Sequence, residues 1–427
     1  MSENTYNPMQ RYIQSIHINK VRHLHDLDIC IPDDEHPHLL ITGKNGSGKT
    51  SLLEAIRDHI ELLQKGQSLD FLKYEERIQY CTEQLSSCID PLRKAELEQQ
   101  LAFWEAKCNE LYGAVRVAFE DPTQIVFHSS DKPFICAMYA ASREVRMSES
   151  LNPTKPTFSD QWLINQSASD QFLSYLSHLK IQEALARNEH QTEDADRIYD
   201  WFVSFEALLG EIFGDSGLQL SFNYKDYSFH IETEGKSFKF NELSDGFAAV
   251  IDIISDLILK MSSISDRTMQ LYDIPGIVLI DEVETHLHLS LQRQVMPLLT
   301  KVFPNIQFIV TTHSPFVLNS IASASVYDLE HQKVLTNLSD YSYEALAEGY
   351  FEVSTRSSYL EQQLNRLTEL LEQADLDIAE RFEVKELIKD LDKVSESVSP
   401  KIAGEYEELK IKWADKLIEI RDDDSNL

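Results

Sequence analysis

Apolar and polar positions alternate in Tyr12–Ile18 and again in Leu27–Ile31, and Leu39–Ile41 runs apolar into a glycine-rich turn; all three read as strands. Beyond the turn, Ser51–Ile56 spaces its apolar residues as a helix does. Between Phe71 and Tyr112 the texture changes. Glu, Gln and Lys become dense, and Ile78, Cys81, Leu85, then Leu97, Leu101, Trp104, Cys108 and Leu111 fall at helical spacing on either side of Pro91. The pattern predicts two amphipathic helices, Phe71–Ser86 and Leu92–Tyr112, folded back as a hairpin. Strands are expected over Ala114–Phe119 and Ile135–Ala140, a Ser/Pro/Thr-rich loop over Ser148–Ser159, and helices through Gln161–Phe213. Leu218–Asn223, Ser228–Thr233 and Phe238–Phe240 suggest a small antiparallel ribbon, and Ser244–Met261 a buried helix. Ile277–Ile280 and Gln307–Thr311 are short continuous apolar runs, of the kind buried on both faces in a parallel sheet. Beyond about Ser354 the chain reads as helical and acidic, with Pro400 between two runs.

Composition narrows the class. The chain has 427 residues, 42% of them hydrophobic, enough to bury a sizeable core and to make two to four domains or one large elaborated one. Its five cysteines (Cys30, Cys81, Cys88, Cys108, Cys136) form no CxxC pair, which argues against a disulfide scaffold or zinc site and for a reducing compartment. The longest apolar stretch, Gly246–Met261, is broken by Asp252 and Asp256 and falls short of a bilayer span, and Met1–Thr5 shows no signal-peptide pattern. A cytoplasmic protein with no membrane partner is expected. With 71 acidic against 39 basic residues, a net charge of -32, the chain is a poor candidate for coating nucleic acid, although a local basic groove stays open.

Chemistry enters at Gly43-Lys44-Asn45-Gly46-Ser47-Gly48-Lys49-Thr50, a match to GxxxxGK[ST] between an apolar strand and an amphipathic helix. The glycines let backbone N–H groups turn around a phosphate, and the helix presents its positive end. Lys49 reaches the outer phosphates and Thr50 ligates Mg²⁺; Gly43, Asn45, Gly46, Ser47, Gly48 and Ser51 complete the phosphate-binding set. A second strand, Ile277–Ile280, ends in Asp281, placed to hold Mg²⁺, and Glu282, placed to orient the attacking water. Taken alone, two carboxylates at a strand end are ordinary solvated charge; the upstream loop and the strand leading to His313 make them a site. His313 is read as a γ-phosphate contact. Leu243-Ser244-Asp245-Gly246 opens the buried helix and could be no more than an N-cap and a turn.

Phosphate loop, LSxG element, Asp-Glu strand and Thr312-His313-Ser314-Pro315, in that order, resemble an ABC-type ATPase head. The wording Ile280–His288 and Gln307–Pro315 is similar to the SMC-like, non-transporter branch found in RecF, OLD-family proteins and the ATPases of antiphage systems such as Septu and the retrons. The resemblance covers Arg11–Lys65 and Ala114–Tyr350. It implies an α/β fold, an ABC-ATPase head with a mixed sheet and P-loop core, carrying an inserted helical hairpin and C-terminal helices. It implies an ATP-hydrolysing homodimer in which ATP is sandwiched, with Ser244 and Gly246 contacting the γ-phosphate in trans while Glu282 and His313 act in cis. Asp245 stands where transporters have Gly, and the Q-loop glutamine is not placed; Arg143 is a candidate phosphate or interface contact there. His286 and His288 occupy the region that crosses to the other protomer, and no further ligand cluster makes them a metal site.

The expected division is 1–65 with the phosphate loop, 66–113 the hairpin, 114–353 the rest of the head (helical insertion 150–215), and 354–427 an acidic helical segment. Asp375 and Asp377 form a DxD like that of Toprim nucleases, but within a helical run they read as solvated charge. Any nuclease or other effector is therefore expected on a separate chain. Two readings stand: the ATPase sensor and scaffold of a defence complex, with higher assembly open and nucleic acid reached directly or through the partner, or a RecF-like repair ATPase binding DNA itself. The charge favours the first.

Overall fold

The computed structural model describes residues 13–31, 37–65, 69–119, 134–142, 163–264, 274–335, 338, 345–346, 358–373, 375–392 and 400–422. Arg143 and the Ser148–Ser159 loop lie outside them. The chain divides into two compact units, 1–341 and 342–427.

The first unit is α/β. Its central sheet has the order β12-β11-β3-β10-β9-β5, formed by β3 (His38–Thr42), β5 (Ile135–Tyr139), β9 (Gly276–Ile280), β10 (Ile306–Thr311), β11 (Ala324–Asp328) and β12 (Lys333–Leu335). All neighbours are parallel except the edge strand β12. Every residue of β3, β9 and β10 is buried, as their unbroken apolar runs require of strands covered on both faces. Strands β11 and β12 were not legible in the pattern: Ala324–Asp328 is too short and mixed to stand out, and it is buried because it pairs with β3.

A second, antiparallel sheet, β2-β1-β4, combines β1 (Ile13–Val21), β2 (Leu24–Cys30) and β4 (Val115–Phe119). Helix α1 (Lys49–Gln64) packs against β4 and β1 of this sheet and β10 of the central one, with Leu52, Ile56 and Ile60 in one buried cluster with Ile16, Ile18, Val115, Val117, Leu39, Ile41, Leu279 and Ile309. Gln307, buried in β10, joins the two layers. Its Oε1 accepts from Ile13 N at 2.8 Å, and its Nε2 donates to the carbonyls of Ile13 (3.0 Å) and Pro37 (2.8 Å). A buried amide is tolerated because all these bonds are made.

Helices α2 (Leu69–Ser87) and α3 (Pro91–Tyr112) form the expected hairpin. Asp90 caps α3 by accepting from Leu92 N, and Pro91 is its first residue, where a missing N–H costs nothing. The Gln161–Phe213 expectation needs correction. Residues 163–168 are irregular, Ser169–Gln171 is a single 3₁₀ turn, and two helices follow, α4 (Phe172–Asn188) and α5 (Thr192–Phe213). The irregular stretch is held by bonds elsewhere: Ile164 N donates to Gln64 Oε1 and Ala168 N to Asp256 Oδ1. The ribbon β6 (Gln219–Asn223), β7 (Ser228–Thr233) and β8 (Lys236–Lys239) is present. Helix α6 (Asp245–Ile264) is followed in the chain, after β9, by α7 (Leu289–Val302) and, after β10, by the one-turn α8 (Pro315–Leu318).

The second unit contains α9 (Ser358–Glu372), α10 (Ile378–Leu391), α11 (Pro400–Lys412) and α12 (Ala414–Asp422), packed on Leu367, Leu370, Leu371, Val384, Ile402 and Tyr406. Pro400 starts α11, and Asp375 and Asp377 lie between two helices rather than inside one. Asp377 caps α10, accepting from Glu380 N at 2.8 Å while Glu380 accepts from Asp377 N.

Candidate nucleotide-binding site

Parallel strands bring their C-terminal ends to one edge of the sheet, where α/β proteins hold ligands. There β3 delivers Gly43–Thr50, β9 delivers Asp281 and Glu282, and β10 delivers Thr312 and His313. The loop bends through left-handed glycines: Gly43 has φ 143°, Gly46 84° and Gly48 95°. At Gly43 a Cβ would stand 2.9 Å from Ser47 Oγ, so side chain and turn are incompatible there. Asn45 lies within this turn, and Ser51 in the first turn of α1.

Lys49 is 5% exposed and donates from Nζ to the carbonyls of Gly43 (3.0 Å) and Lys44 (3.2 Å), which aims the ammonium into the loop. Burial lowers its pKa, and the carboxylates of Glu282, Glu284 and Asp281 oppose that shift. Ser47 Oγ is buried in the loop with no hydrogen-bond partner among the described residues.

Thr50 Oγ1 donates to Asp281 Oδ1 at 3.2 Å, so two positions 231 residues apart meet at one point. The same carboxylate oxygen accepts from Thr311 Oγ1 at 2.6 Å, and Thr311 Oγ1 in turn accepts from Glu282 N at 2.8 Å. Asp281 N donates to Tyr139 O, which fixes the strand end against β5. Glu282 has φ 45°, a left-handed conformation unfavourable for a side chain with a Cβ. Its amide is held by Thr311 Oγ1, and its carboxylate Oε2 accepts from Thr285 Oγ1 at 3.4 Å.

His313 follows β10, and its pKa is lowered by burial and by Lys49, against the opposing carboxylates of Glu284, Glu282 and Asp281. Sequence reasoning passed over three residues of this cluster: Thr311, Thr312 and Glu284. Glu284 Oε2 accepts from Thr312 Oγ1 at 2.7 Å and its Oε1 accepts from His313 N at 2.5 Å. A strand ending in paired threonines opposite a strand ending in carboxylates was the available signal.

Ser244 immediately precedes α6 and its carbonyl accepts from Ala248 N. At Gly246 a Cβ would stand 2.7 Å from His286 O and 3.5 Å from Leu287 Cα. The start of α6 is thereby pressed against the segment that follows Asp281 and Glu282, in which His286 has φ 67°. Within the chain, Gly246 is thus placed beside 286–287, with Ser244 two residues before it, whereas Thr50 and Asp281 meet at the phosphate loop and Glu282 and His313 face Lys49. Among the described residues no group of three or more His, Cys, Asp or Glu is arranged to hold a metal, His286 and His288 included. None of their helices is long and apolar enough to cross a membrane.

Two family models match the chain: an AAA domain over residues 15–185, and an AAA domain described as putative AbiEii toxin, type IV TA system, over 152–319. The chain is 41% identical over 90 residues to the retron Ec83 probable ATPase of Escherichia coli, covering 21% of this chain and 17% of that protein. It is 23% identical over 326 residues to the Septu protein PtuA of Bacillus mycoides (strain KBAB4), covering 75% of this chain and 41% of that one. The chain thus spans less than half the length of these curated relatives. Among solved structures, an Smc head bound to the C-winged helix domain of ScpA aligns over 74% of this chain and 94% of its own, with 14% identity and a TM-score of 0.37. By its motif order and these matches, the chain is similar to Septu PtuA and the retron probable ATPases, and the two AAA matches together take in the phosphate loop, Asp281, Glu282 and His313.

Proposed function

We propose that the chain binds ATP with Mg²⁺ and hydrolyses it as one head of a head-to-head homodimer, serving as the cytoplasmic sensor and scaffold of an antiphage defence complex. The observation that carries the hydrolytic part is the chain of bonds from Thr50 through Asp281 to Thr311 and the Glu282 amide. Thr50 Oγ1 and Asp281 Oδ1 lie 3.2 Å apart. Two neighbouring ligands of octahedral Mg²⁺ are about 3 Å apart, so these oxygens fit the ion, and the unpartnered Ser47 hydroxyl fits a phosphate beside it. When bound, Mg²⁺ offsets charge on the phosphoryl oxygens.

Lys49 leaves its loop carbonyls for the phosphates. Glu282 orients a water in line with the γ-phosphorus and accepts its proton, and His313 hydrogen-bonds the phosphate being cut. Ser244 and Gly246 serve the partner protomer's nucleotide; in its own chain Gly246 abuts 286–287 instead of the loop. Separation of the heads after hydrolysis then changes what a bound partner senses.

The matches to Septu PtuA and a retron ATPase support the defence setting. The effector, a nuclease, is a separate protein, and nucleic acid is engaged through it. The hairpin (66–113) and the acidic segment (354–427) serve as docking elements outside the head proper; at the hairpin tip Ile89 and Leu92 are 96% and 80% exposed, as a partner-binding surface needs. The test is ATP turnover and calorimetry. Lys49→Ala should abolish nucleotide binding, and Glu282→Gln should bind ATP and turn it over at least about 100-fold more slowly. Wild-type turnover in Glu282→Gln would remove its assigned role. Affinity capture of the tagged chain should recover a stoichiometric nuclease; a lone homodimer whose ATPase rises with DNA would favour the repair reading.

A further inference from the structure

We propose that Glu284 is the positioning residue for His313, a carboxylate clamp that ties the end of β10 to the turn carrying Glu282; the proposal rests on the ATPase reading above. Both of its oxygens are committed to β10: Oε1 accepts from the His313 amide at 2.5 Å and Oε2 from Thr312 Oγ1 at 2.7 Å. A bidentate carboxylate fixes direction as well as distance, and charged acceptors make the stronger hydrogen bonds.

The rest of the segment is locked in series. Ser314 N donates to Thr312 Oγ1 (3.0 Å), and Ser314 Oγ donates to Gln292 Oε1 (2.7 Å). Gln292 Nε2 donates to Leu287 O at 2.9 Å, which closes the circuit on the same turn that holds Glu284. Ser314 also caps α8, accepting from Phe316 N and Val317 N. With its amide, its preceding side chain and its following residue all bound, the His313 backbone has one orientation, and the imidazole is directed by it. Glu284 lies two residues from Glu282, whose own backbone is held left-handed. Any movement of the Asp-Glu turn on nucleotide binding therefore carries His313 with it. Glu284 touches no reacting atom in this scheme. It acts through Thr312 and His313.

Glutamine is the discriminating replacement. Its Oε1 can accept from the His313 amide while its Nε2 donates to Thr312 Oγ1, so Glu284→Gln keeps both bonds without the charge, whereas Glu284→Ala loses both. Hydrogen exchange of the peptide spanning 307–318 requires no ATP and comes first. Glu284→Ala should speed exchange about 10-fold or more while Glu284→Gln stays near wild type. Equal exchange in all three proteins overturns the clamp whether or not the protein turns over ATP. In steady-state ATPase assays, Glu284→Ala should lose about 10- to 100-fold in kcat with ATP affinity within about twofold, and Glu284→Gln should recover most of the loss. An unchanged kcat in Glu284→Ala, or an equal loss in both variants, overturns the positioning role. Should Glu284→Ala not fold, Thr312→Ala, which removes only one arm, is expected to give a smaller kcat loss at unchanged ATP affinity, and wild-type kcat there overturns the proposal. A wild-type chain without ATPase activity would instead overturn the proposed function, leaving the exchange result to decide the clamp alone.

Discussion

Thr311 Oγ1 donates to Asp281 Oδ1 at 2.6 Å and accepts the Glu282 amide at 2.8 Å, so one hydroxyl sets both carboxylate-bearing residues at the end of β9. Valine has nearly the same shape and no hydroxyl. Thr311→Val leaves Asp281 with one fewer donor and the Glu282 amide without its acceptor, a loss of about 1–3 kcal/mol in a site this closed. ATP turnover should fall about 10- to 100-fold, with Thr311→Ser restoring most of it. Steady-state kinetics beside a thermal melt distinguish this from unfolding. A Thr311→Val protein with wild-type kcat would mean that Asp281 and Glu282 hold their geometry unaided.

Composite sites make a prediction of their own. Ser244→Arg and Lys49→Ala should each abolish turnover, the first without loss of ATP binding. Mixed one to one and allowed to exchange, half the dimers carry both changes on opposite chains, and each such dimer retains one intact pair of halves. Activity should return to about a quarter of wild type, since a quarter of the sites are whole. No recovery at any mixing ratio would place Ser244 outside the partner's site.

Inside α6, Lys260 Nζ meets Asp256 Oδ2 at 2.9 Å with both side chains essentially sealed from solvent, 1% and 0% exposed. Asp256 also accepts from Tyr139 Oη (2.7 Å), Ser167 Oγ (3.1 Å) and Ala168 N. The carboxylate thus joins α6, β5 and the irregular 163–168 stretch, while the lysine neutralises it. Asp256→Leu strands a buried ammonium and three donors, and should cost about 3–5 kcal/mol. Asp256→Leu combined with Lys260→Met removes the uncompensated charge and should recover part of that loss. Urea unfolding of the single and double variants measures the difference. A double variant less stable than Asp256→Leu alone would show that the pair is held by more than mutual neutralisation.

Much of the central sheet could be read from the chain because burial on both faces demands unbroken apolar runs. The phosphate loop could be read because its glycines and lysine answer one geometric need. What escaped lies where a residue's role depends on partners far away in sequence. Asp256 merely interrupts an apolar helix until Lys260, Tyr139 and Ala168 are seen beside it. Glu284 is one more acid after Asp281 and Glu282 until β10 is laid alongside. Residues 163–168 have helical composition, yet their backbone groups are taken by Gln64, Met138 and Asp256. Tertiary bonds outcompeted local propensity there.

Two buried histidines predict how stability depends on pH. The Phe308 amide donates to His38 Nδ1 at 3.2 Å, so that nitrogen carries no proton, and burial pushes the His38 pKa down to about 4. His59, sealed in α1 with Nδ1 beside Val115 O, is pushed by burial down to about 3. Both ionise near 6.5 when unfolded, so the unfolded chain takes up protons that the folded one refuses. Their contribution is complete above pH 6.5 and is lost as pH falls from there through about 4 for His38 and about 3 for His59. At pH 5 each lowers stability by roughly 2 kcal/mol relative to pH 7.5. Relief of the excess negative charge works in the opposite direction over the same range, so the wild-type curve alone is ambiguous. His38→Gln can keep the Phe308 bond through its amide oxygen while removing the ionisation. Chemical unfolding at pH 7.5 and pH 5 should therefore show the wild type losing about 2 kcal/mol more than His38→Gln across that step. An identical change in both proteins would mean that His38 accepts a proton in the folded state, and that its contact with Phe308 is not what keeps it neutral.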